Sequence, residues 1–121
     1  MSEVRRMGCL FCKLVSKEQP CTVVYEDDKV FCFEDINPQA PVHVVVIPKE
    51  HVDDLNSMYR GGKMSIMEAM YRGAFEVAKI KGIDHRGFRT VLNNGPEGGQ
   101  IIWHLHLHVL GGKKLGDNLA G

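Results

Sequence analysis

The sequence predicts an α+β domain, an antiparallel sheet of five strands with helices to one side. Two observations predict it. Five short segments carry strand patterning, at residues 21–26, 30–35, 42–47, 88–92 and 101–110, while only one long stretch has helical spacing. The links between the strands are of hairpin type, and strands so connected, with helices gathered at one side, make α+β architecture.

Each element has its own justification. Residues 9–16 have the length and composition of one or two helical turns. Segments 21–26 and 30–35 flank Asp27-Asp28-Lys29, a turn sequence, and so form a hairpin. Pro38 and Pro41 mark a loop. Residues 42–47 are nearly all apolar, as in a strand buried on both faces. After Gly61-Gly62, Met67, Met70, Tyr71, Ala74, Phe75 and Ala78 recur at spacings of three and four, a helical stripe that runs to about Lys81 and stops at Gly82. That stripe suits a core or a subunit interface. Segments 88–92 and 101–110 complete the sheet.

Composition narrows the function. At 121 residues the chain fits one domain, read here as a polar leader over residues 1–8 and a domain over 9–121. Lys+Arg and Asp+Glu number 15 each and cancel. A nucleic-acid polymer is a poor partner for such a surface, because that binding neutralises many phosphates with basic charge. The leader lacks a secretory apolar region, and no run reaches membrane-spanning length, so a soluble, cytoplasmic protein with no membrane contact is expected. Its four cysteines are then expected to be thiols or metal ligands.

Chemistry concentrates in three segments. His104-Leu105-His106-Leu107-His108 alternates His with branched apolar residues. On a strand, same-face neighbours lie ~7 Å apart, so three imidazoles can gather around one anion or share a metal. A single His on a strand is ordinarily structural; three in strict alternation are not ordinary. Immediately upstream, Asn93-Asn94-Gly95-Pro96-Glu97-Gly98-Gly99-Gln100 has the glycines that let successive N–H groups form an anion-binding concavity. His43 interrupts an otherwise apolar strand and needs buried hydrogen-bond partners.

These segments resemble the histidine triad (HIT) family, and more closely its Hint branch of nucleotide phosphoramidases. Tyr25-Glu26-Asp27-Asp28, Asp35-Ile36-Asn37-Pro38-Gln39-Ala40-Pro41, Val46-Ile47-Pro48-Lys49, Gly98-Gly99-Gln100 and Leu110-Gly111-Gly112 carry the likeness beside the His strand. It extends over nearly the whole chain, from about Cys9 to Gly112. The resemblance implies a five-stranded antiparallel sheet with two helices, dimerising into a continuous sheet. It implies hydrolysis of a P–N bond at the α-phosphate of an AMP or GMP adduct, through a covalent nucleotidyl-histidine. His106 matches the nucleophile, His108 a phosphate contact that aids proton transfer, His43 the supporting histidine, and His104 the first of the triad. Asp35 matches the ribose ligand, Phe11, Phe33 and Ile36 the base pocket, and Asn93, Gly99 and Gln100 the phosphate loop. No cofactor is required for that chemistry. Two other readings within reach are a dinucleoside polyphosphate hydrolase, as in the Fhit branch, and a nucleotide-binding regulatory protein with little turnover.

Two positions depart from the branch. Ile101 stands where many Hint sequences carry a small polar residue, and the tail from Lys113 to Gly121 differs from the Trp-containing tail of animal relatives. Cys9 and Cys12 form a Cys-x-x-Cys, which suits a redox pair or a zinc ion. Some histidine triad relatives hold a structural zinc with such a pair, the His after Ile-Pro-Lys and the first triad His. The matching positions here are Cys9, Cys12, His51 and His104.

Overall fold

A computed structural model describes residues 8–119. The leader expected over residues 1–8 lies, apart from Gly8, outside the described residues. Five strands, β1 (Val23–Glu26), β2 (Val30–Glu34), β3 (Val42–Pro48), β4 (Arg89–Val91) and β5 (Leu107–Gly111), form one antiparallel sheet in the order β1-β2-β3-β5-β4. Three helices accompany it among the described residues, α1 (Leu10–Val15), α2 (Leu55–Arg60) and α3 (Ser65–Ile80). The expected count of two is therefore corrected to three. The extra helix, α2, is started by Asp54, whose carboxylate accepts from the Ser57 amide at 2.8 Å. Gly62, at φ +68°, then turns the chain before α3.

Local chemistry fixes the strand register. Asp27 Oδ1 accepts from the backbone amides of Lys29 and Val30, both at 2.8 Å, and this closes the β1–β2 hairpin. Strand β3, paired on both sides, is the centre of the sheet, and its apolar sequence follows from burial on both faces. Alternation sends Val30, Cys32, Val44, Val46, Leu105, Leu107 and Val109 to one face, where α3 packs through Met70, Ala74 and Ala78. Gly73 permits the close approach: a Cβ there would sit 2.9 Å from Val30 Cγ2. Of the helical stripe read from sequence, Tyr71 and Phe75 turn outward instead.

Phe31, Phe33, Val45 and Ile47 occupy the opposite face and are covered by Cys9, Phe11 and Leu14 of the α1 region. The helices are thus divided between the two faces, not gathered on one. The histidines point to this second face.

The last strand is shorter than expected. Residues 101–106 are not strand, and β5 begins at Leu107. The ladder pairs Val46 with Leu107 and stops there. Two residues on, β3 ends at Pro48, which has no N–H to give. The Leu105 amide donates to the Val52 carbonyl at 2.8 Å instead. That departure from the sheet shapes the site.

Candidate functional site

The peeled segment separates the three histidines into two environments. His106 and His108 stay together on the cleft face, with ring centroids 5.2 Å apart. His104 turns aside, its ring 4.6 Å from that of His51.

Hydrogen bonds to the main chain fix which ring nitrogen carries the proton. His106 Nδ1 lies 2.8 Å from the His104 carbonyl and donates to it, so Nε2 keeps its lone pair. The Gln39 amide donates to His43 Nδ1 at 3.0 Å, so the His43 proton sits on Nε2. That Nε2–H faces His108 Nδ1 at 2.8 Å, with Asp35 Oδ2 at 3.3 Å beside it. His108 therefore accepts at Nδ1 and presents an Nε2–H. Asp35 is held in turn by the Asn37 amide, 2.8 Å from its Oδ1, and its Oδ2 lies 3.9 Å from His108 Nδ1. The pair consists of a ring with an available lone pair and a ring with an available N–H.

Both rings line a cleft of about 710 Å³. Phe11, Phe33, Leu14, Val45 and Ile102 give it apolar walls, and Asp35, Asn93 and Gly99 line it as well. Ile36 and Ile101 stand at its rim, almost wholly exposed. Phe11 meets Phe33 edge to face, with centroids 5.6 Å apart, and meets the His106 ring likewise at 5.1 Å. Of the residues named from sequence for nucleotide contact, Gln100 alone is absent from the lining. Its buried side chain donates to the Asp53 and Ile102 carbonyls, at 2.7 and 3.1 Å, and accepts from the Gly95 amide at 2.9 Å. It braces the loop from within. Gly98 is needed there, since a Cβ would lie 2.3 Å from the Asn94 carbonyl oxygen.

Burial acts on the ring charges. It pushes His108 from 6.5 down to about 4, with His106 and His43 adding to the shift and Asp35 opposing it. It lowers His106 too, against the pull of the His104 carbonyl and Asp35. Both rings are neutral at pH 7. A stability consequence follows with a definite sign. The unfolded chain takes up a proton at His108 near pH 6.5, whereas the folded state resists down to about pH 4. Stability is then full above pH 6.5 and falls as pH drops from 6.5 to 4, by on the order of 2–3 kcal/mol for this residue. Urea midpoints at pH 7 and 4.5 are expected to fall less in His108→Gln than in the wild type; an equal fall in both would remove His108 as a cause.

A second cluster lies on the far side of Phe11. Cys9 Sγ is 3.4 Å and Cys12 Sγ 3.6 Å from His104 Nδ1, and Cys12 Sγ is 3.2 Å from His51 Nδ1. The four donor atoms lie within 4.8 Å of one another. A tetrahedral zinc with ordinary Zn–S and Zn–N bonds sets S···N edges of ~3.5 Å, so the spacing fits. The remaining ring nitrogens fit too. His104 Nε2 donates to the Pro48 carbonyl at 2.8 Å and His51 Nε2 to Asp53 Oδ1 at 3.0 Å, which leaves both Nδ1 atoms unprotonated and aimed inward. The Cys2His2 set read from sequence is a site able to hold a metal ion, and its donors suit a structural zinc.

A family model described as HIT domain matches residues 16–115. The chain belongs to the HIT family. A "14 kDa zinc-binding protein" of Brassica juncea is 45% identical to this HIT protein over 108 residues, 88% of this chain and 94% of the relative. An "Adenylylsulfatase HINT1" of Arabidopsis thaliana is 44% identical over 108 residues, 88% of this chain and 72% of the relative, and places the HIT domain in the Hint branch. The crystal structure of a HIT family hydrolase from Legionella pneumophila superposes with TM-score 0.87 at 38% identity, covering 94% of this chain and all of that one. With the histidine triad intact on the same fold, this HIT protein is a hydrolase. No helix among its described residues is long and apolar enough to cross a membrane.

Sequence reasoning missed the main-chain partners that set the histidine tautomers: the carbonyls of His104 and Pro48 and the amide of Gln39. Backbone atoms leave no mark in a sequence. Asp53 did leave one, an acid two residues after a ligand histidine.

Proposed function

We propose that this HIT protein is a purine nucleoside phosphoramidase, which hydrolyses the P–N bond at the α-phosphate of an AMP or GMP adduct through a nucleotidyl-His106 intermediate. The observation that carries the reading is the pairing of an unprotonated His106 Nε2 with a neighbouring His108 N–H on one wall of an apolar cleft.

The purine fits between Phe11, Phe33, Ile36 and Leu14, and the ribose hydroxyls reach the Asp35 carboxylate. Asn93 and Gly99 stand beside the phosphate. His106 Nε2 attacks phosphorus without the repulsion an anionic nucleophile would meet, and forms a P–N(imidazole) bond as the bond to the leaving amine breaks. The amine must take up a proton as it departs. Phosphate charge in the cleft raises the proton affinity of His108, which burial otherwise keeps neutral, and Asp35 lies near enough to balance the imidazolium. Water then cleaves the intermediate, releasing the nucleoside monophosphate and restoring His106. Cys9, Cys12, His51 and His104 would hold zinc with four ligands all drawn from the protein, and the ion would supply structure and not an activated water. The homodimer belongs to the same reading: exposed Tyr71 and Phe75 on α3, beside the edge strand β4, offer a two-fold contact, and the thiol ligands suit a reducing cytoplasm.

Turnover of an amine-linked AMP, a diadenosine polyphosphate and adenylyl sulfate, measured side by side, tests the substrate class. The highest kcat/KM is expected for the P–N compound. A clear preference for either anhydride would replace the phosphoramidase reading. Asp35→Ala is expected to weaken AMP binding by about 1–3 kcal/mol, read by calorimetry, through loss of charge-assisted hydrogen bonds; unchanged affinity would remove Asp35 from the ribose site.

A further inference from the structure

The metal cluster and the cleft share a wall. Cys9 and Cys12 bracket Phe11, and the three belong to one short turn of chain. On one side their sulfurs approach His104 and His51. On the other side the Phe11 ring lines the cleft and packs edge-on against His106 at 5.1 Å and His104 at 5.8 Å. Helix α1 has six residues, too few to be stable alone, and only Phe11 and Leu14 bury within it. Val15 adds a partly buried contact, and the two cysteines supply the link to His104 and His51. His104 makes a second link: its ring faces the sulfurs while its carbonyl holds His106 Nδ1.

We infer that metal occupancy of the Cys2His2 site sets the affinity of the cleft for nucleotide, with Phe11 as the positioning link. This rests on the nucleotide reading of the cleft given above. Without the ion, the α1 turn loses the tie that seats Phe11, and a ligand must first order that wall before binding against it. With the ion bound, the ordering is already done. Coupling of this kind is reciprocal: nucleotide in the cleft must tighten the hold on the metal by the same factor.

Two binding measurements test it. AMP affinity is measured by calorimetry on reduced protein, zinc-free and after loading with one equivalent of zinc. Zinc affinity is measured by competition with a chromogenic chelator, with and without saturating AMP. Loading is expected to tighten AMP about tenfold, and AMP to tighten zinc by a similar factor. In Phe11→Leu both factors are expected to fall below about two. Equal AMP affinity with and without zinc in the wild type would overturn the inference. So would an undiminished coupling in Phe11→Leu, which would mean that the effect runs through the His104 link or through overall folding and not through Phe11; this arm decides the matter even if the zinc-free protein unfolds. Absence of AMP binding to the zinc-loaded wild type is a different failure, that of the nucleotide reading itself.

Discussion

His106→Ala is expected to lower kcat on a P–N substrate by at least about 10⁴-fold, the scale seen when a covalent nucleophile is removed. The reason lies in its tautomer. The His104 carbonyl takes the proton on Nδ1, which commits Nε2 to attack, and no other described ring in the cleft offers a lone pair in that position. His108 accepts at Nδ1 from His43 and shows the cleft an N–H, so it cannot substitute without reversing the relay. AMP affinity of the variant is expected to stay near that of the wild type, because Phe11, Phe33 and Asp35 are untouched. Steady-state turnover beside an AMP titration checks both halves. A kcat near the wild-type value would remove His106 as nucleophile.

Metal removal is expected to have the largest effect on stability. A ligand held at about a thousand times its Kd adds about 4 kcal/mol to the folded state. For a domain of this size that corresponds to a fall in Tm on the order of 10–20 °C when the ion is stripped. Cys12→Ser is expected to show a similar fall and little further response to chelator. Differential scanning calorimetry under reducing conditions, with elemental analysis of the same samples, gives the result. Protein with well under half an equivalent of zinc per chain after zinc is supplied, or a Tm indifferent to chelator, would contradict a structural zinc.

The fold was legible where one rule acted alone. The β1–β2 hairpin followed from Asp27, and the apolar sequence of β3 followed from burial on both faces. Reading failed where two rules competed. Residues 104–108 alternate strictly, as a strand would, yet Pro48 on the neighbouring strand has no amide to pair with, and the ladder ends at Leu107. A partner's missing donor is a long-range fact that period counting along one segment cannot see. The same competition divided the triad: alternation put three histidines on one face, and the departure from the sheet sent the His104 ring to Cys9 and Cys12. Helix α2 was missed although Asp54 marks its start, because its six residues bury only Met58 and so carry no apolar period.

The candidate site was legible as a set of residues and opaque as a set of protons. His43, His106, His108 and Asp35 are brought together as the pattern suggested, and Cys9, Cys12, His51 and His104 converge. What the sequence could not carry is the direction of each hydrogen bond, because the deciding partners are main-chain atoms of His104, Pro48 and Gln39. Asp35 illustrates the gap. Its match to a ribose ligand gave no hint that it also lies 3.3 Å from His43 Nε2.

The central claim, two displacements at phosphorus with His106 between them, is tested most directly by stereochemistry. An AMP phosphoramidate made chiral at phosphorus by one sulfur atom is hydrolysed in ¹⁸O-labelled water, and the configuration of the product is determined. Two in-line displacements each invert phosphorus, so attack by His106 followed by attack of water predicts net retention. Net inversion would mean that water attacks the substrate directly, and would contradict the covalent mechanism.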